Sequence, residues 1–148
     1  GTDGERLMAT QHVTFMIDGA TYGVPVMHVQ ETLGHQAHTH VPLAPKGVAG
    51  LVNLRGQVVL TVDLRPLLRL DPLPEGSEPM MVVVEVDGEA VALLVDTVGE
   101  VLEVDDAQFE PVPDTLDPAV RDLVVGVYKL ERTLLLALDI RAAATLKE

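Results

Sequence analysis

The chain has 148 residues, 47% of them hydrophobic but only 3% aromatic, with no tryptophan and no cysteine. That length fits one domain or two very small ones, and the core has to come from Val, Leu, Ile and Ala rather than from rings. A net charge of −13 disfavours nucleic acid and anionic membrane surfaces, both of which select a basic face, and without cysteine there is no disulfide framework and no thiol chemistry.

Residues 1–11 carry no apolar signal core and read as a flexible tail ahead of one domain over residues 12–148. No apolar run approaches the roughly 18 residues that span a bilayer, so the chain reads as soluble, with no direct membrane insertion. The first strand signal is "VTFMIDGATYGV", two short apolar runs around Asp18-Gly19. Asp-Gly supplies the positive φ of a tight turn, so the segment is predicted to be a β-hairpin. "VPVMHVQETL" then predicts one or two helical turns, with Pro25 near the start, where its missing N–H costs least. Val58 to Leu64 is predicted as a strand, and "RLDPLPEGSEP" (Arg69 to Pro79) as a proline-rich connector outside any sheet. "MMVVVEVDGEAVALLV" repeats the hairpin signal around Asp87-Gly88. "DPAVRDLV" predicts a short helix capped by Asp117, with Pro118 in its first turn. "VVGVYKLERTLLLAL" predicts a third hairpin turning near Glu131-Arg132, its second strand running from Leu134 to Ile140.

An internal repeat organises these elements. Phe15–Leu33 lies over Val84–Leu102 at an offset of 69, matching Asp18-Gly19 with Asp87-Gly88, Val29 with Val98 and Glu31 with Glu100. Gly50–Arg65 lies over Gly126–Arg141 at an offset of 76, matching Leu54 with Leu130, Asp63 with Asp139 and Arg65 with Arg141. Two similar β-rich halves follow, about 12–70 and 80–146. Each is marginal alone at that size, so the halves must pack together, and the junction is a natural place for a binding groove.

The chemistry-bearing residues are few. His28, His35, His38 and His40 cluster, but at a spacing that matches no defined zinc site, and they read as solvated; a metal-dependent enzyme is the weakest of the readings. Asp63 and Asp139 occupy matching strand ends, which favours a repeated structural role, capping or pairing with Arg65 and Arg141, over acid–base chemistry. Ser77, the only serine, lies on the connector, a poor platform for a nucleophile. Neither catalytic residues nor a cofactor site is predicted. Arg55 stands out: a charge inside the apolar run "GLVNLRGQVVL", beside Gly56, where the second half has Glu131-Arg132. An arginine on a turn with apolar flanks is a common interface anchor.

"YGVPVMHVQETL", "VPLAPKGVAGLVNLRGQVVLTVDLR" and "VALLVDTVGEVLEV" together resemble the CheW-like domain family, over about Thr14 to Leu146. The resemblance implies an all-β fold of two packed five-stranded SH3-like barrels with one or two short helices. Which strand closes which barrel is left open, including an exchange of strands between the halves. It also implies a non-catalytic adaptor joining the cytoplasmic tip of a chemoreceptor to the regulatory domain of the histidine kinase CheA, in the cytoplasm at receptor arrays. A regulatory domain of such a kinase, or a coupling module of a non-flagellar chemosensory pathway, is the alternative. The positions matching the family's receptor contacts are Val29, Glu31 and Arg55, with Asn53 and Gly56 shaping the turn. Val98, the repeat mate of Val29, is added as a candidate opposite wall, and the surface around Val101 and Leu102 as the kinase side.

Overall fold

The computed structural model describes residues 9–35 and 47–144. In chain order the described elements are β1 (Ala9–Ile17), β2 (Ala20–Pro25), β3 (Val29–Leu33), β4 (Val48–Leu54), β5 (Gln57–Asp63), α1 (Leu64–Leu67), β6 (Met80–Val86), β7 (Glu89–Val95), β8 (Thr97–Asp105), β9 (Phe109–Glu110), α2 (Pro118–Arg121), β10 (Val124–Lys129), β11 (Leu134–Leu138) and α3 (Ile140–Ala144), with 3₁₀ turns at Val26–His28 and Asp106–Gln108. β1 takes in Ala9, Thr10 and Gln11, which the sequence placed in the tail.

The three hairpins form where the turn chemistry puts them. Asp18-Gly19 and Asp87-Gly88 both sit at positive φ (53° and 82°, 52° and 83°), the geometry that matches the twist of the flanking strands. The helical reading of "VPVMHVQETL" is corrected. Only Val26–His28 makes a single 3₁₀ turn; Val29–Leu33, with β-branched Val29 and Thr32, pairs along β6 as a strand, where branched side chains pack well. Among the described residues there are three short α-helices rather than one or two. Two of them arise at Leu64 and Ile140, where the apolar runs looked like continuing strand. The chain turns there because Asp63 accepts a hydrogen bond from the Arg65 N–H (3.1 Å) and Asp139 from the Ala142 N–H (3.0 Å), each acting as an N-cap. Capping, one of the two structural roles considered for these aspartates, is realised in both halves. α2 is capped in the same way by Asp117, on the Ala119 N–H.

The strands form two sheets, in the orders β3-β6-β7-β5-β4 and β8-β1-β2-β11-β10-β9, each curled into a small SH3-like barrel, here the first and second barrel. The repeat is visible in the topology, since β3, β6, β7, β5 and β4 correspond position by position to β8, β1, β2, β11 and β10. The halves, however, exchange their hairpins: β1–β2 of the first half completes the second barrel, and β6–β7 of the second half completes the first. Each exchanged hairpin joins the other half through a parallel pairing, β2 with β11 and β7 with β5.

This exchange decides where the core lies. Both faces of β6–β7 are buried. Met81, Val83, Ala92 and Leu94 fill the first barrel with Val52 and Val59, while Val82, Val84, Val91 and Leu93 face the second barrel. There they meet Phe15, Ile17, Tyr22, Val24, Leu136 and Leu138 in one continuous cluster. Neither barrel can be withdrawn from the other without exposing that shared layer. The repeated arginines clamp the junction. Arg65 holds Asp96 through two bonds (Nε–Oδ1 2.9 Å, Nη2–Oδ2 2.7 Å), and Asp96 Oδ2 also accepts from the N–H of Asp18 in the opposite hairpin turn (2.8 Å). Arg141 pairs with the turn residue Asp87 (2.5 Å).

Candidate partner-binding site

Glu31, Asn53, Arg55 and Gly56 meet at one end of the first barrel. Arg55 and Gly56 form the β4–β5 turn at φ 54° and 81°. Glycine takes the second of those angles without strain, and Asn53 Oδ1 accepts the Gly56 N–H at 3.0 Å, closing the turn. Asn53 thereby fixes the direction in which Arg55 leaves the hairpin.

Glu31 comes to the same place because of a β-bulge. Val29 pairs with Val84 but Glu31 pairs with Val83, so Gln30 is an extra residue on β3, and the chain changes face there. Val29 packs on the inter-barrel core and Leu33, four residues on, inside the first barrel. Glu31 consequently shares the inner side with Leu33 and reaches from the edge strand β3 toward the other edge. Its Oε1 accepts a hydrogen bond from Arg55 Nη2 at 2.9 Å. The side chains differ in exposure, 81% for Arg55 and 21% for Glu31. The carboxylate is thus held by the fold, and the guanidinium faces outward with donors to spare.

Apolar surface flanks this pair. Along the β4–β5 hairpin Asn53 lies opposite Val58 and Leu51 opposite Leu60. Val52 and Val59 turn inward, while Val58 stays 61% and Leu51 38% exposed. The remaining candidates lie apart from this cluster. Val29 is half-buried at the Val84 end of β6. Val98, on β8 opposite Phe15, donates its N–H to Met80 Sδ (3.3 Å) at the other end of β6. The strand rise of ~3.3 Å separates those two ends by about 13 Å. Val101 is exposed and Leu102 half-buried, both on β8. A crevice of about 140 Å³ at the junction is lined by Ile17, Asp18, Tyr22 and Leu68 among others, and by none of the candidates.

Of the histidines, His28 and His35 are exposed, while His38 and His40 lie outside the described residues. Among the described residues no group of three His, Cys, Asp or Glu is placed to hold a metal ion. What the sequence did not show is the Arg65–Asp96–Asp18 link, because Asp96 and Asp18 meet only through the hairpin exchange. Burial alone would raise the Asp96 carboxyl, but the Arg65 guanidinium and the Asp18 N–H outweigh it and hold it below the ordinary carboxylate range. The other missed residue is His12, 2% exposed inside the second barrel. Burial lowers its pKa, an effect only partly offset by the Thr10 carbonyl.

The chain thus forms two hairpin-exchanged SH3-like barrels carrying a charged pair in an apolar surface strip. The CheW-like domain family matches residues 11–148, and the chain belongs to that family. It is 28% identical over 130 residues to the probable chemotaxis protein CheW of Rhizobium etli, covering 88% of this chain and 84% of that protein. It is 32% identical over 119 residues to the chemotaxis protein CheW of Rhizobium meliloti, covering 80% and 77%. The crystal structure of the scaffolding protein TtCheW from Thermoanaerobacter tengcongensis superimposes with a TM-score of 0.79 at 26% identity, covering 89% of this chain and 90% of that one. The chain is a chemotaxis coupling or scaffold protein of this type.

Proposed function

We propose that this protein is a non-catalytic adaptor that couples the cytoplasmic tip of a chemoreceptor to the regulatory domain of the histidine kinase CheA. The observation that carries the reading is the Glu31–Arg55 pair, set beside the exposed Val58 and Leu51. A receptor tip is a helical hairpin, and a helix docks by laying apolar side chains on an aliphatic surface. Arg55 stands beside that strip with unspent donors for a carboxylate or a helix C-terminal carbonyl. Val29 and Val98 pack against the inter-barrel core, apart from this strip, and are proposed as secondary receptor contacts only. Glu31 gives Arg55 a preferred direction at the edge of that strip.

The kinase side falls on the second barrel. Val101, 54% exposed, lies on the same face of β8 as Glu103. Glu103 lines a shallow groove with Val26 and with Met27, which is 81% exposed. That apolar patch sits on a different barrel from Arg55, which lets two partners bind at once. The adaptor would act in the cytoplasm at receptor arrays; no described helix is long and apolar enough to cross a membrane. Sedimentation of the protein with a receptor-tip fragment and the kinase regulatory domain tests the arrangement. A ternary complex is expected, with Val101→Glu losing the kinase alone and Arg55→Ala losing the receptor alone. Mutually exclusive binding of the two partners would contradict it.

A further inference from the structure

The chain has no cysteine and five methionines, so thioethers are the only sulfur it offers to an oxidant. Met8 lies outside the described residues, and the others are placed very differently. Met81 is fully buried inside the first barrel. Met16 and Met80 are half-buried, and each sulfur accepts a hydrogen bond at 3.3 Å, Met16 from the Thr21 hydroxyl and Met80 from the Val98 N–H. A sulfur lone pair engaged in this way is less available to attack an oxidant. Met27, in contrast, is 81% exposed, and oxidation of methionine follows exposure.

The position of Met27 separates folding from binding. It sits in the middle of the 3₁₀ turn that carries the chain from β2 to β3, a turn with no buried residue. Its side chain supports neither core, so a polar atom added there leaves both barrels intact. The same side chain lines the groove with Val26, Gln11 and Glu103, on the surface assigned to the kinase. An unbranched, polarisable thioether adapts well to an apolar partner surface, and a sulfoxide does not. Its oxygen is a strong acceptor that loses water on docking and gains no partner from an apolar contact.

We propose that Met27 is a redox-sensitive modification site, oxidised by a peroxide to the sulfoxide, and that the sulfoxide releases the kinase from this surface. A lone pair of the Met27 sulfur attacks one peroxide oxygen. The S–O bond forms as the O–O bond breaks, and the departing oxygen takes the proton of the transferred one and leaves as water. The sulfur is oxidised and the peroxide reduced. A thiol-dependent methionine sulfoxide reductase reverses the step, returning the thioether and water while its dithiol becomes a disulfide. The release rests on the kinase-side reading; the choice of Met27 as the reactive sulfur does not, and Arg55 and the receptor side take no part in either.

The test treats the full chain with dilute hydrogen peroxide, maps the oxidised peptides by mass spectrometry and titrates the same sample calorimetrically with the kinase regulatory domain. Met27 is expected to gain oxygen before Met16, Met80 or Met81, with an unchanged circular dichroism spectrum. Affinity for the kinase domain should fall at least about tenfold. The epimer-specific sulfoxide reductases with dithiothreitol should restore it, and the affinity of Met27→Leu should not respond to peroxide. Three results would each overturn the proposal: oxidation of Met16 or Met80 as readily as Met27, undiminished kinase binding by the Met27 sulfoxide, or the same loss of binding in peroxide-treated Met27→Leu. Failure of the untreated protein to bind the kinase domain would overturn the kinase-side reading and the release together, and the peptide map separates that failure from a wrong assignment of the reactive sulfur.

Discussion

Arg65 and Arg141 are repeat mates with the same place in the fold, so their removal compares burial with little else changed. In Arg65→Ala the Asp96 carboxylate, 19% exposed, loses both guanidinium bonds and keeps only the Asp18 N–H. Removing one partner of a fully buried pair costs about 3–5 kcal/mol. Water reaches the rim of this site, so a cost below that range, about 2 kcal/mol, is the better guide. For a chain of this size that is a fall of roughly 4–8 °C in Tm. Arg141→Ala leaves a carboxylate already in water and should not move the transition. The pH dependence carries the same logic. Asp96 has a folded pKa below its unfolded value, so its contribution is present above the unfolded pKa and disappears as pH falls through the folded one. Urea denaturation at pH 7 and again near pH 3 measures both. The gap between the wild type and Arg65→Ala should narrow in acid. Equal destabilisation by the two arginine substitutions, or a gap independent of pH, would refute the burial argument.

Other perturbations test separate parts of the structure. His12 has a folded pKa below the unfolded one, so the unfolded chain binds the extra proton, and stability should fall as pH drops from about 6.5 toward the folded pKa. His12→Met, which copies its mate Met81, should remove that slope and add about 1 kcal/mol by eliminating an unpaired buried nitrogen; denaturation at pH 5 and pH 7.5 checks it. Burial pushes the Tyr22 phenol up to about 12, so Tyr22→Phe should flatten the loss of stability expected between about pH 10 and pH 12, as read by alkaline unfolding. Gly126→Val should drive Phe109 out of its place against the strand, costing about 1–3 kcal/mol and shifting the Tyr128 ring resonances.

Much of the fold was legible because local chemistry and tertiary structure agree. The Asp-Gly turns, the alternating runs beside them, the cap at Asp117 and the repeat all act within a few residues of themselves. The hairpin exchange was not legible. β1–β2 and β6–β7 have the same pattern and the same turn, so each could complete either barrel, and the choice is made by the shared layer around Phe15 and Val84. The bulge at Gln30 was hidden for a related reason: alternation in "VQETL" looks regular, and only pairing with β6 shows that the chain changes face. The cluster of Glu31, Asn53, Arg55 and Gly56 could be assembled from sequence only by resemblance, since β3 and β4 are opposite edges of one sheet. Their meeting depends on the curvature that brings those edges together. Asp63 and Asp139 were recognisable as structural from their matching positions alone, but the helices they cap were masked by the apolar Leu64 and Ile140 that follow.

The most direct test of the adaptor reading is calorimetric titration of the protein with a soluble chemoreceptor-tip fragment, alongside Arg55→Ala. The exposed guanidinium contributes little to folding, so the variant should keep its circular dichroism spectrum and lose about 2 kcal/mol of binding, roughly thirtyfold in affinity. Equal affinity of the two proteins for the fragment would contradict the account of Arg55, and absence of binding by the wild type would contradict the receptor side of the adaptor altogether.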